Sequence, residues 1–282
     1  MRRFVTMFNA TKQSYLVEHG TIEPGTGLWT TPMNSTNSSS PDDNASGFLS
    51  ERPSALRYDS AINDDPGEVA ALVAGFVPER ARVLDVGCGT GCVSRVIQRL
   101  RSAHIVGIEP EPERAQIARE RGIEVVQSYL TKELLDTLGR FDAVVFADVL
   151  EHVANPMSLL QLGCSSLNSD GVVVISVPNV AHWSARWALL RGRFDYEESG
   201  IMDATHLRWF TADSLGRWLH SSGLVVQAMT QSAGTMLPMY EQVWPWRLMH
   251  PYPRSRLIRH LTKRWPRLFG CQHIVRASRL AA

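Results

Sequence analysis

The sequence predicts an α/β fold: a mostly parallel sheet with helices on both faces. Three observations predict it. From about Pro66 onward, short apolar runs of strand character alternate with helical patterns. Those runs are continuously apolar rather than alternating, as expected of strands buried on both sides. A cluster of glycines also joins the first strand to the helix that follows, where the backbone must turn sharply.

The elements follow in order. Arg82 to Val86 predicts a buried strand and Cys92 to Leu100 the helix after the glycines. His104 to Glu109 predicts a second strand, and Pro112 to Arg121 a helix with proline in its first turn. Ile123 to Gln127 and Thr131 to Leu138 form the next strand and helix, then Phe141 to Phe146 and Pro156 to Leu167. Asp170-Gly171 predicts a turn into Val172 to Val177, the most β-rich run of the chain. A helix over Asp213 to Ser221, a strand over Leu224 to Ala228 and a closing strand over Gln272 to Ala277 complete the pattern.

The chain has 282 residues, 44% of them hydrophobic and 20% charged, which excludes a wholly disordered protein. No apolar run approaches the roughly 20 residues that span a bilayer. The first 20 residues lack the pattern of a secretory signal, and Cys88, Cys92, Cys164 and Cys271 show neither a disulfide framework nor zinc-type spacing. A cytoplasmic location is the expectation. Residues 1–50, rich in Ser, Thr, Asn and Pro between Thr30 and Ser50, are expected to be a disordered tail. Residues 51–282 form the expected domain, with a basic, aromatic insertion near 235–270.

The net charge of +1 hides an asymmetry. No acid follows Glu241, while nine Lys and Arg do, leaving 20 basic against 28 acidic residues, a net of −8, before that point. Within the basic segment Leu257, Ile258, Leu261 and Trp265 are spaced as one apolar helical face. Such a helix suits three partners: an anionic membrane surface, reached through residues 243–270, an anionic acceptor, or simply solvent, as a lid. Nucleic acid is disfavoured, since no reader motif accompanies the charge.

The loop Val83-Leu-Asp-Val-Gly-Cys-Gly-Thr-Gly91 carries glycines at 87, 89 and 91, with Cys92 where a dinucleotide fingerprint wants glycine. Asp85 would repel a diphosphate and attract an ammonium group. Glu109, 18 residues after Gly91, ends the second strand where a carboxylate accepts ribose hydroxyls. A ribose joined to a cationic amino-acid end fits both carboxylates, and S-adenosylmethionine is such a ligand.

With Phe141-Asp-Ala-Val-Val-Phe-Ala-Asp-Val-Leu-Glu-His152, these motifs resemble the class I S-adenosylmethionine-dependent methyltransferases over roughly residues 55 to 230. The resemblance implies a Rossmann-like, seven-stranded sheet with its last strand antiparallel. It places the cofactor over the carboxyl ends of the first two strands, beside Asp85, Gly87, Cys88, Gly89, Gly91 and Glu109. Tyr129 stands near where many members carry an acid toward adenine, Asp148 follows the fourth strand, and Arg57 and Tyr58 match a cofactor-closing position.

The cofactor brings the electrophile, so the protein must align an acceptor and, for a hydroxyl, remove its proton. His152, His182 and His206 lie at strand ends or in loops beyond them. Asp203 is spaced to orient His206, the favoured base, with His152 next; a turn cap by Asp203 and Thr205 competes with this reading. His182 beside Trp183 is better explained by packing. Asp148, Glu151 and His152 are similar to a stretch of ubiquinone-type O-methyltransferases that can hold a divalent cation, a reading not favoured here. Segments Pro178 to Trp183, Gly192 to Tyr196 and Asp203 to Thr211 look like a bacterial subgroup associated with surface-glycan or secondary-metabolite pathways. The expected activity is O-methylation of a small-molecule or glycan-type acceptor; the alternative is a cofactor-binding or membrane-docked partner without turnover.

Overall fold

In a computed structural model, which describes residues 62–237 and 239–280, seven strands form one sheet. β1 (Arg82–Val86), β2 (His104–Ile108), β3 (Glu124–Val126), β4 (Phe141–Ala147), β5 (Leu167–Pro178), β6 (Leu224–Ser232) and β7 (Gln272–Arg279) lie in the order β3-β2-β1-β4-β5-β7-β6. β7 runs antiparallel to both of its neighbours, and the other pairings are parallel. The order reverses direction at β1, between β2 and β4, so a crevice opens beyond the carboxyl ends of the central strands. The expected tail, Arg57 and Tyr58 lie outside the described residues.

Successive strand residues alternate between two cores. Val83, Ile105, Ala143 and Val145 face α1 (Val69–Phe76), α2 (Cys92–Arg101) and α3 (Pro112–Glu120). Leu84, Val106, Val144 and Phe146 face α4 (Lys132–Leu138), α5 (Pro156–Ser165) and α7 (Ala212–Ser221). With both faces covered, neither parity of a strand can be polar, which is why the runs read as continuously apolar. Each fully buried Val, Ile or Leu side chain contributes about 1.5–3 kcal/mol.

The helix starts follow local chemistry. The hydroxyl of Thr131 accepts from the Leu134 amide at 3.2 Å to begin α4, and Asn155 does the same for Ser158 ahead of Pro156 in α5. Thr211 and Ser214 close a reciprocal capping box at α7.

Four differences from expectation stand out. α5 ends at Ser165, and residues 168–171 bulge out of β5, shifting its register against β4 between Phe141 and Ala143. β6 runs on to Ser232. α1 and α6 (Trp183–Leu190) were not anticipated. In the insertion, α8 (Met239–Gln242) precedes α9 (Pro251–Arg264) and α10 (Pro266–Phe269), and the expected apolar face of α9 is divided. Ile258 is buried against Ala233 and Tyr240, while Leu257 and Trp265 are exposed. The inward face is Arg254, Ile258 and Thr262 instead.

Part of the basic excess is paired with acids of the same chain. Arg254 donates to the Tyr240 carbonyl at 2.8 Å and pairs with Glu241, Arg259 pairs with Asp65, and Arg267 pairs with Asp213 at 2.9 Å. The charge asymmetry along the sequence is therefore partly cancelled by the fold. No described helix is long and apolar enough to cross a membrane.

Two predictions arise from this packing. A Cβ on Gly107 would lie 2.6 Å from the Cys88 sulfur, so β2 and the glycine loop meet only because residue 107 has no side chain. Gly107→Ala is expected to lower unfolding free energy in urea by about 1–3 kcal/mol. His182 and His273 are fully buried, and burial lowers each imidazole from 6.5 to about 4. Between those values the unfolded chain binds more protons than the folded one, so stability is complete above pH 6.5 and is lost as pH falls toward 4. Each histidine steepens the decline by up to about 1.4 kcal/mol per pH unit. Urea titrations of His182→Asn and His273→Asn should show a shallower pH dependence than the parent.

Candidate active site

The glycine loop leaves β1 with Gly87, Gly89 and Gly91 at φ 70°, 58° and 80°, a left-handed path open to glycine at low cost. It is tied to β2: the amides of Gly87 and Cys88 donate to the Ile108 carbonyl at 2.7 and 3.1 Å. Glu109, buried at the end of β2, fixes the far side. Its Oε2 accepts from the Gly89 amide at 2.9 Å and its Oε1 from the Glu111 amide at 3.0 Å. Each carboxylate oxygen has a second lone pair, so both can still accept a hydroxyl. Asp85, equally buried, accepts from the Ser94 hydroxyl in the first turn of α2. Two buried carboxylates thus flank a bare turn of backbone at the switch point of the sheet.

The thiol of Cys88 is buried in the core against Gly107 and Val125, and burial pushes its pKa well above the usual thiol range. Only its backbone belongs to the loop surface. Tyr129 lies just beyond β3 and is 36% exposed. Asp148 follows β4 at φ 53°, an uncommon conformation for a residue with a side chain. Its Oδ1 accepts from the Ser176 hydroxyl at 3.0 Å and its Oδ2 from the Gln272 amide at 3.2 Å. Asp148 therefore pins the ends of β4, β5 and β7 together.

Beyond β4 a short 3₁₀ turn, Leu150–His152, docks onto the loop before α7. The amides of Leu207 and Arg208 donate to the Glu151 carbonyl at 2.8 and 3.3 Å. This brings Glu151, His152 and His206 together, all buried, with ligand-capable atoms within 4.8 Å of one another. The imidazoles meet edge to face, 4.7 Å between centroids.

Hydrogen bonding fixes their tautomers. Thr205 donates its hydroxyl hydrogen to Asp203 Oδ1 at 2.7 Å, and its amide donates to the same oxygen. With that hydrogen spent, Thr205 Oγ1 can only accept from His152 Nδ1 at 2.9 Å, where the Thr205 carbonyl also stands at 3.3 Å. His206 Nδ1 faces the Ile201 carbonyl at 3.2 Å. Both rings therefore carry hydrogen on Nδ1.

The Asp203–Thr205 turn anticipated as a cap exists, and it reaches His152 through Thr205, a link the Asp203–His206 spacing did not suggest. His182 caps α6, accepting from the Ser184 amide, and its Nε2 meets the Tyr240 hydroxyl at 3.4 Å. It thereby fastens the insertion to the end of β5. Ser94, Ser176, Gln272 and Tyr240 were missed, because their partners lie far away in sequence.

A family model described as a methyltransferase domain matches residues 59–228. The ubiquinone biosynthesis O-methyltransferase of Xanthomonas axonopodis pv. citri is 30% identical over 191 residues, 65% of this chain and 75% of that one. The mitochondrial ubiquinone biosynthesis O-methyltransferase of Bos taurus is 29% identical over 177 residues, 58% of this chain and 46% of that one. Among solved structures, a chain from the Haloferax volcanii complex of the Trm112 methyltransferase activator with its methyltransferase superposes with a TM-score of 0.50. The overlap covers 75% of this chain and 89% of that one at 17% identity, a likeness of fold alone. Glycine loop, acidic strand ends, sheet order and family match agree: the chain belongs to the class I S-adenosylmethionine-dependent methyltransferases, and is an enzyme of that family.

Proposed function

We propose that this enzyme methylates a hydroxyl of a small-molecule acceptor, with His152 as general base. The observation that carries the reading is the convergence of Glu151, His152 and His206 beyond β4, with the Nδ1 of each histidine held by the 201–205 loop. Asp85 would meet the donor's ammonium group and Glu109 its ribose hydroxyls, over the Gly87–Gly91 loop. Bound there, the donor supplies the electrophilic methyl group and the leaving group. His152 Nε2 takes the hydroxyl proton as the oxygen attacks, and Thr205 and Asp203 hold the ring and favour its cationic form. A base so placed contributes on the order of 10²–10⁴-fold. The O-methyl chemistry named for the relatives supports the choice of a hydroxyl.

The same three groups support a second reading. Two imidazoles whose Nδ1 hydrogens are engaged, beside a carboxylate, form a donor set suited to a divalent cation. Such an ion would make a bound hydroxyl more acidic. The set differs from the one expected: His206 joins Glu151 and His152, while Asp148 is bonded to Ser176 and Gln272.

The test is incubation with the methyl donor and a panel of phenols, catechols and aliphatic alcohols, read by mass spectrometry for gain of one CH₂ per acceptor. Repeating it with chelator and with added Mg²⁺, Mn²⁺ or Zn²⁺ separates the two readings. Methylation confined to amines would overturn the hydroxyl assignment.

A further inference from the structure

The pairing of Arg254, Arg259 and Arg267 leaves part of the basic segment uncompensated. Among the described residues no acid pairs with Arg247, Arg256, Lys263 or Arg264, and no acid follows Glu241 in the chain. α9 sorts its residues by face. Arg254, Ile258 and Thr262 are buried against the body of the protein. The opposite face presents Tyr252, Arg256, His260 and Lys263, all exposed and spaced at helical intervals.

Aromatic rings are interleaved with these cations. Arg256 stacks over the Tyr252 ring at 5.5 Å and Arg264 over the Trp265 ring at 5.2 Å. The segment leading into α9 exposes Trp244 at 69% and Leu248 at 70%. Between them Trp246 packs against Trp183 and Tyr240, which fastens that segment to the rest of the chain. Large apolar side chains held in water beside unpaired cations mark an interaction surface. A nucleic acid would meet the cations and stack on the rings, but it offers nothing to Leu248. A bilayer meets every group: anionic headgroups face the Arg and Lys side chains, while Trp, Tyr and Leu enter the headgroup–acyl boundary.

We propose that residues 244–264 form a docking face for an anionic membrane surface, on which α9 lies flat with Trp244 and Leu248 inserted. The contact is peripheral, and it is the same whichever acceptor the enzyme methylates.

The experiment sediments the full chain with vesicles of phosphatidylcholine alone or mixed with phosphatidylglycerol. Saturable binding to the anionic vesicles is expected, with little to the neutral ones and a steep loss as salt rises from about 0.1 M to about 1 M. Each basic residue near such a surface strengthens binding about five-fold, so Arg256→Gln/Lys263→Gln/Arg264→Gln should weaken it by about 10²-fold. Trp244→Ser/Leu248→Ser should weaken it by about ten-fold. Arg95→Gln/Lys132→Gln/Arg217→Gln removes the same charge from exposed positions on α2, α4 and α7, and should bind as the parent does. Donor affinity by calorimetry should be unchanged in all these variants, which keeps the outcome separate from that of the donor site. No binding of the parent to anionic vesicles, an equal loss in the control, or tighter binding to an RNA oligonucleotide than to vesicles would overturn the proposal.

Discussion

Replacing Asp85 and Glu109 together by alanine is expected to abolish donor binding in titration calorimetry while leaving one cooperative unfolding transition. The size of the loss follows from the geometry. Both carboxylates are almost wholly buried, so whatever they bind is gripped with little competition from water. A hydrogen bond to a charged group contributes about 1.5–3 kcal/mol, and Glu109 has capacity for two ribose hydroxyls. Glu109→Ala alone should therefore weaken binding by about 10²–10⁴-fold. It also releases the Gly89 amide from the carboxylate that anchors it, loosening the loop itself. Glu109→Gln keeps an acceptor but forces an NH₂ toward one backbone amide, and should fall between the two. Unchanged affinity in the double variant would refute the site.

The second large effect belongs to the histidines. His152→Ala and His206→Ala should each lower kcat for a hydroxyl acceptor by about 10²–10⁴-fold while donor affinity holds within a factor of about two. Thr205→Val isolates the relay, since it removes both the oxygen that accepts from His152 Nδ1 and the hydroxyl hydrogen donated to Asp203. It should lower kcat less than His152→Ala and displace the acidic limb of the pH–rate profile, with Thr205→Ser restoring both. A relay without function would leave that limb in place. If the cation reading is right, the histidine variants also lose Mn²⁺ binding measured by calorimetry, with Thr205→Val intermediate.

The legibility of this fold had a physical basis. Strands buried on two faces must be apolar at every position, so β1, β2, β4 and the core of β5 stood out in the sequence alone. Asp85, the glycines and Glu109 were visible because a turn needing left-handed backbone sits at a fixed distance from two strand ends. What stayed hidden was contact between distant segments. Thr205 reads as a turn residue and is one; that its hydroxyl also serves His152, 53 positions earlier, depends on the 3₁₀ turn docking onto the 201–208 loop. Pairing within the basic segment was hidden for a related reason: the partners of Arg254 and Arg259, Glu241 and Asp65, are seen beside them only in the fold. α6 went unread because its tryptophans and leucines partly face outward, blurring the periodicity that marks an amphipathic helix.

The reversal of β7 has one further consequence. Ser232 and Gln272 pair directly across the ladder, and the Cys271 amide donates to the Ser232 carbonyl at 2.8 Å, so the two stems of the intervening 39 residues stand side by side. A segment hung from adjoining anchors is a detachable cassette: its length can vary at small entropic cost, since loop closure grows only slowly with length.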